Sequence, residues 1–104
     1  MSARYRLEYL PVAERDLLDI LDYIARDRPA AAHAFVDRFE RVIDRLARFP
    51  RSSRAPDDDR LRRLGYRVLI VDGYLVFYVV KGRTVQIRRV IHGARRYNFL
   101  LPKD

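Results

Sequence analysis

The spacing of apolar residues changes along the chain, and each spacing predicts a different secondary structure. Residues 4–10 alternate between polar and apolar side chains, which is typical of a half-buried strand. Within residues 11–26, and again within 29–49, apolar side chains recur at steps of three and four. This spacing predicts two amphipathic helices, each opened by a proline, and we expect them to pack together as a hairpin.

The second half of the chain predicts three strands joined by tight turns. Asp72-Gly73 and Lys81-Gly82 separate three runs that are rich in β-branched and aromatic residues. Asp-Gly between hydrophobic runs favours a two-residue hairpin turn, because these residues tolerate the positive φ angles that the turn requires. The middle run is apolar on both faces, as expected for a central strand. The predicted strands lie near residues 61–71, 74–80 and 84–92.

The order of elements is β-α-α-β-β-β, which predicts an α+β fold. We expect the helical hairpin to pack on one face of a mainly antiparallel four-stranded sheet, and the other face to be partly open and basic. A chain of 104 residues should form a single domain, residues 1–104. Residues 51–60 are rich in Arg, Ser and Asp and are predicted to form an exposed loop, too short to separate two domains.

The charge of the chain points toward a polyanionic partner. There are 22 basic residues against 14 acidic ones, which gives a net charge of +8 and a pI near 10.4. All basic residues except Lys81 and Lys103 are arginine, which forms two-pronged contacts with phosphate that lysine does not. A pI above about 9 is typical of nucleic-acid-binding proteins. The alternative is that arginine merely serves here as a solvated cation.

Several kinds of chemistry find no support in the sequence. The absence of cysteine excludes disulfides, thiolate nucleophiles and zinc–thiolate sites. His33 and His92 fall on different elements and belong to no metal-ligand motif, and the adjacent aspartates at 57–59 are interpreted as loop solvation. The longest apolar run, residues 74–80, is too short to span a bilayer. We therefore expect a cytoplasmic protein with no metal, no cofactor and no membrane partner.

The remaining candidate chemistry is a set of cations on the predicted sheet. Arg67 lies within the first strand of the meander, on the same face as Leu69 and Val71, and Arg88 shares a face with His92 in the last. Whether these faces coincide depends on strand register. Arg67 could also be an ordinary solvent-facing arginine, and His92 an ordinary strand-end histidine. The cluster that closes the last strand consists of His92, Arg95, Arg96 and Tyr97.

The chain contains, in this order, the motifs Ala13-x-x-Asp16-Leu17-x-x-Ile20, Leu46-x-x-Phe49-Pro50, Leu64-Gly65-Tyr66-Arg67, Phe77-Tyr78 and Val90-Ile91-His92-Gly93-x-Arg95. Their order and spacing resemble the RelE/ParE superfamily of toxins from bacterial toxin–antitoxin systems. The resemblance extends over nearly the whole chain. It implies a small α+β toxin that a cognate antitoxin neutralises and that is usually co-transcribed with it.

The resemblance implies one of two targets. RelE-like toxins cut mRNA in the ribosome, where a ribose 2′-hydroxyl attacks the neighbouring phosphate with the help of a proton acceptor, cations and an acid. By its motif, Arg67 would stabilise the phosphate, Arg95 or Arg96 would be a second cation, and His92 and Tyr97 would transfer protons. ParE-like toxins inhibit DNA gyrase and need no such groups. The arginines predicted to bind nucleic acid are Arg51, Arg54, Arg60, Arg62, Arg63 and Arg88.

The preferred prediction is a ribosome-dependent mRNA endoribonuclease, because the cationic cluster and the net charge suit a polyanionic target. Inhibition of DNA gyrase is the alternative, and a non-toxic nucleic-acid-binding domain is a third hypothesis. The expected partners are therefore a cognate antitoxin and either ribosome-bound mRNA or gyrase. We expect an antitoxin segment to fold along the helical hairpin or a sheet edge and to bring acidic side chains toward the arginines. The apolar tail Phe99-Leu100-Leu101 is a further candidate contact.

Overall fold

The computed structural model of the chain describes residues 4–93. It confirms the α+β fold and places the helical hairpin directly after the first strand. The residues Arg95, Arg96 and Tyr97, and the apolar tail that follows them, lie outside the described residues. The elements are β1 (Arg6–Tyr9), α1 (Pro11–Asp27), α2 (Pro29–Arg48), α3 (Asp59–Arg63), β2 (Arg67–Val71), β3 (Tyr74–Lys81) and β4 (Thr84–His92).

The four strands form one mixed sheet in the order β1-β4-β3-β2. β2, β3 and β4 make the predicted antiparallel meander, whereas β1 pairs with β4 in parallel. Parallel neighbours cannot be joined by a tight turn, so the chain must cross over one face of the sheet between them. The helical hairpin lies within that crossover. No helix within residues 4–93 is long and apolar enough to cross a membrane.

The turn between β2 and β3 has the geometry that its sequence predicts. Asp72 and Gly73 both have positive φ angles, of 51° and 83°. Arg38 of α2 also donates from Nε to the Asp72 carboxylate at 2.8 Å, which links the turn to the hairpin. The local sequence therefore determines the shape of this turn, and the helix adds an external contact.

The predicted strand at residues 61–71 is wrong in its first part. Residues Asp59–Arg63 form the short helix α3, and β2 begins only at Arg67. The Asp58 side chain caps the helix by accepting a hydrogen bond from the Leu61 amide at 2.9 Å. Gly65, with a φ of +85°, ends it, and the Tyr66 amide donates back to the Leu61 carbonyl at 3.0 Å. The capping residues, rather than the apolar pattern, decide the structure here.

Apolar side chains cover both faces of the central strand β3. On the hairpin face, Val76 and Tyr78 pack with Phe35 and Phe39 of α2. On the opposite face, a second cluster contains Leu61, Tyr66, Val68, Phe77, Val79 and Ile91. The second face is therefore less open than expected, because α3 and the turn after it supply Leu61 and Tyr66 as a partial cover.

A bulge in β4 is the site at which α1 attaches to the sheet. Phe77 pairs with Arg89 and Tyr78 pairs with Ile87, so Arg88 is an extra residue in β4. The Asp16 carboxylate of α1 accepts from Arg89 at 2.8 and 2.9 Å and from the Val90 amide at 2.9 Å. The bond to Asp16 raises the pKa of Arg89. The carboxylate thus occupies the edge of β4 beyond the end of β1.

Replacement of Asp16 tests how far this attachment stabilises the fold. The Asp16 and Arg89 side chains are only 13% and 14% exposed. Asp16→Asn should lower the free energy of unfolding by roughly 2 to 3 kcal/mol, because a mostly buried guanidinium loses its counter-charge. Urea denaturation measures the change. Asp22→Asn, at an exposed position on the same helix, is the matched control. Equal effects of the two variants would contradict a special role for Asp16.

Candidate functional site

Arg67 faces a loop rather than an open sheet surface. It lies directly opposite Tyr78 of β3, whose side chain belongs to the core between sheet and hairpin. Its Nη2 donates to the backbone carbonyls of Arg51 and Ser53 at 2.9 and 2.6 Å. Its Nε is buried and has no hydrogen-bond partner within the described residues. Phosphate binding by Arg67 remains a prediction, and it would require the guanidinium to exchange these carbonyls for another partner.

Tyr78 holds the same loop from the neighbouring strand. Its ring is fully buried, its hydroxyl donates to the Pro50 carbonyl at 2.7 Å, and it also bonds the Ser53 hydroxyl. The Val68 amide of β2 donates to the Arg54 carbonyl at 3.0 Å. We call residues 50–54 the anchored loop, because groups on two adjacent strands fix most of its backbone carbonyls. The sequence pattern gives no sign of this use of Tyr78 and Ser53.

Arg88, the extra residue of the bulge, is buried. Only 2% of it is exposed. Its Nε donates to the Gln86 side chain at 2.8 Å, its Nη1 donates to the Tyr66 hydroxyl at 3.3 Å, and its guanidinium lies 5.4 Å from the centre of the Tyr66 ring. The guanidinium of Arg88 is therefore not accessible for the predicted contact with nucleic acid. Its cation–π and hydrogen-bond contacts instead stabilise the second apolar cluster.

His92 lies at the exposed end of β4, opposite Tyr74. The two rings meet edge to face, with centroids 5.4 Å apart. They line a cavity of about 320 Å³ together with Asp19 and Tyr23 of α1. Burial, and secondarily the proximity of Tyr23, raises the pKa of Tyr74. This cavity is bordered by the hairpin and is separate from the anchored loop.

The register separates His92 from Arg67. His92 of β4 pairs with Tyr74 along one edge of β3, and Arg67 of β2 pairs with Tyr78 along the other edge. This places their backbones roughly 13 Å apart along the strands and about 10 Å apart across them. A base and a phosphate-binding cation must lie within hydrogen-bond reach of one reacting group. The described residues do not bring these two predicted catalytic groups together.

Most of the remaining predicted arginines lie on one segment outside β2. Arg62 donates to the carbonyls of Pro56 and Asp57 at 2.9 and 2.7 Å, and it also forms an ion pair with Asp59. Arg60 is half-buried. The segment begins at the anchored loop and ends with α3. The arginines that are exposed on it are Arg51, Arg54, Arg62 and Arg63.

An open groove of about 1240 Å³ runs between β1 and α2. The Arg6 amide donates to Arg83 in the turn before β4, and the Leu10 amide donates to Ile87 within β4. Because the peptide groups of a strand point alternately to its two sides, those of Leu7 and Tyr9 point away from β4 and toward the groove. Leu7 is 37% exposed and Phe49, which also lines the groove, is 55% exposed. The groove thus combines the free edge of a strand with exposed apolar side chains.

Within residues 4–93, no group of three or more His, Asp or Glu side chains is placed to hold a metal ion. The described surface carries exposed arginines, exposed apolar side chains and the outer edge of β1. These are the features of binding surfaces for polyanions and for proteins.

The sequence matches the family model described as ParE toxin of type II toxin–antitoxin system, parDE, over residues 7–97. The chain therefore belongs to the ParE toxin family of type II toxin–antitoxin systems. It is 37% identical over 95 residues to proteins named Toxin ParE1 in two strains of Mycobacterium tuberculosis, a match that covers 88% of this chain and 91% of the relative.

Solved structures share the fold. A chain of the chromosomal ParDE toxin–antitoxin system from P. aeruginosa superposes with a TM-score of 0.70 at 21% identity, covering 86% of this chain and 96% of that one. A chain of the toxin–antitoxin complex RelBE2 from Mycobacterium tuberculosis gives a TM-score of 0.62 at 25% identity, covering 86% and 99%. The fold is thus common to both branches that the sequence resembles.

The contacts of Arg67 and Tyr78 predict a local effect of their replacement. In Arg67→Met and in Tyr78→Phe, exchange of the Ser52 amide, which donates to the Phe49 carbonyl at 3.1 Å, should rise at least about tenfold, because the loop that contains it loses the donors that hold its carbonyls. Exchange measured by mass spectrometry checks this. Arg15→Met, at an exposed position of α1, is the control. Unchanged exchange in both loop variants would show that other contacts order the loop.

Proposed function

We propose that this type II toxin acts by binding DNA gyrase and inhibiting it, without a chemical step of its own. The observation that carries the proposal is the commitment of Arg67 to the carbonyls of Arg51 and Ser53. An arginine used in this way stabilises a loop, and this role supports inhibition by binding over a chemical step. Membership of the ParE family supports the same choice.

The energetic cost of a catalytic arrangement supports the proposal further. Phosphate binding by Arg67 would take the donor from the carbonyls of Arg51 and Ser53, which are exposed and partly buried, and the loop would lose two of the bonds that hold it. Inhibition by binding needs only an exposed surface that a partner can cover. Tyr23, which is 70% exposed on α1, is of a residue type that is enriched in such contacts, and Leu18 on the same helix is 64% exposed.

Ribosome-dependent mRNA cleavage is retained as the second candidate. The exposed arginines of residues 51–63 and the net charge of +8 favour an RNA target. This candidate requires His92 as a proton-transfer group, so replacement of that residue separates the two hypotheses.

His92→Gln should leave growth arrest on induction within about twofold of the unchanged toxin, because inhibition by binding needs no proton transfer. Gyrase-linked DNA breaks should still accumulate in the induced cells. His33→Gln, at an exposed position on α2, is the matched control. Loss of toxicity in His92→Gln alone, together with transcripts cut within codons in the unchanged toxin, would favour RNA cleavage and contradict the proposal.

We propose in addition that a cognate antitoxin covers the groove between β1 and α2. Structural neighbours of this chain come from toxin–antitoxin systems, which supports a partner of this kind. The peptide groups of Leu7 and Tyr9 are free to pair with an added strand, and Leu7 and Phe49 offer apolar contacts. Of the two antitoxin positions expected from the sequence, the helical hairpin or a sheet edge, the proposal takes the edge of β1, with α2 as the other wall of the groove.

Replacement of the groove residues tests this location. Leu7→Ser and Phe49→Ser should each weaken antitoxin binding at least about tenfold, because exposed apolar anchors lose their buried contact in the complex. Titration calorimetry with the product of the neighbouring reading frame measures the affinity. Leu18→Ser is the control, since Leu18 is exposed on α1 and does not line the groove. A larger loss in the control would place the antitoxin on the hairpin.

A further inference from the structure

The positive charge of the chain is unevenly distributed over the fold. The helical hairpin, residues 11–48, carries seven arginines against eight carboxylates. Residues 51–93 carry ten Arg or Lys residues against four aspartates. Half of those ten cations fall within residues 51–63, the segment that runs from the anchored loop to the end of α3. The same segment also carries three of the four aspartates, so its net charge is only +2, and its distinguishing feature is the density of its arginines.

The segment also contains three aspartates, at positions 57–59, and two of them have identified contacts. Asp58 accepts from the Leu61 amide as the cap of α3, and Asp59 pairs with Arg62. Arg62 is also held by backbone carbonyls of the segment. Within the described residues, three exposed arginines of the segment form no ion pair and no side-chain hydrogen bond: Arg51, Arg54 and Arg63.

The backbone that carries two of these arginines is fixed before any ligand arrives. The carbonyl of Arg51 accepts from Arg67, and the carbonyl of Arg54 accepts from the Val68 amide. Tyr78 fixes the intervening part of the anchored loop through the Pro50 carbonyl and the Ser53 hydroxyl. Little backbone entropy would therefore be lost when a ligand binds, and binding is tighter when such costs are small.

We propose that residues 51–63 form a docking surface for the phosphate backbone of duplex DNA, contacted by Arg51, Arg54 and Arg63. Guanidinium groups form charge-assisted, two-pronged hydrogen bonds with phosphate oxygens. Arg67 is a positioning residue of this surface. It donates to backbone carbonyls of the anchored loop, and two of the contacting arginines, Arg51 and Arg54, belong to the same loop. The surface acts through phosphates and carries no base-specific contact.

The composition of the segment selects duplex over single-stranded nucleic acid. Single strands are bound by grooves that combine cations with aromatic side chains on which bases stack. Residues 51–63 contain no aromatic residue. Cations on a fixed backbone suit the regular phosphates of a duplex instead. In one respect the inference rests on the proposed function, because gyrase is the target that would present duplex DNA to the toxin.

Binding of the purified chain alone to a fluorescently labelled duplex of about 20 base pairs, at about 50 to 200 mM salt, tests the surface without gyrase. The affinity should fall steeply with salt, and Arg51→Gln/Arg54→Gln should reduce the slope of log K against log salt by about 2. The control Arg15→Gln/Arg26→Gln removes the same charge from exposed positions of α1 and should change the slope little.

The positioning role of Arg67 has its own measurement. Arg67→Met should weaken duplex binding and raise amide exchange in residues 51–54, whereas Arg67→Lys, which keeps a donor for the carbonyls, should restore part of both. Three results would each overturn the inference. The unchanged chain could fail to bind the duplex, the double variants in the loop and in α1 could lose the same affinity, or a single-stranded RNA could bind more tightly than the duplex. Inhibition of DNA supercoiling by gyrase, assayed separately, reports on the proposed function alone.

Discussion

The contact between Asp16 and the bulge in β4 determines how the two halves of the molecule fit together. The bulge places Arg89 and the Val90 amide at the strand edge that β1 no longer covers. One carboxylate from α1 satisfies both groups. Because a buried charge is costly unless it is paired, the hairpin has one strongly preferred position over β4. The contact thus positions α1 over β4 within the crossover that the parallel pairing of β1 and β4 requires.

The same demand for paired polar groups explains the use of Arg67 and Arg88. Arg67 satisfies loop carbonyls, and Arg88 satisfies Gln86 and Tyr66 within the second cluster. Arg88 is buried and Arg67 is half-buried, and both serve the order and packing of the fold. The arginines of residues 51–63 have the opposite character, because most of them stay exposed on a backbone that other residues hold. An arginine-rich composition thus contains structural and surface arginines that differ only in their neighbours.

The fold separates its surfaces according to charge and polarity. The hairpin is nearly neutral, and one of its helices borders the groove beside β1 with exposed apolar side chains at its rim. The cationic segment lies outside β2, at the other edge of the sheet. An antitoxin in the groove and a polyanion at the β2 edge would therefore occupy different surfaces.

The sequence by itself determined the order of the elements, the helical hairpin and the turn at Asp72-Gly73, because helical periodicity, strand alternation and turn chemistry act between neighbouring residues. It also indicated the family. It did not reveal α3, where the cap at Asp58 and the positive φ of Gly65 outweigh an apolar pattern. The bulge at Arg88 and the partners of Arg67 were decided only by the tertiary structure. Those contacts join residues that are distant in the chain, and strand register and burial fix which groups meet.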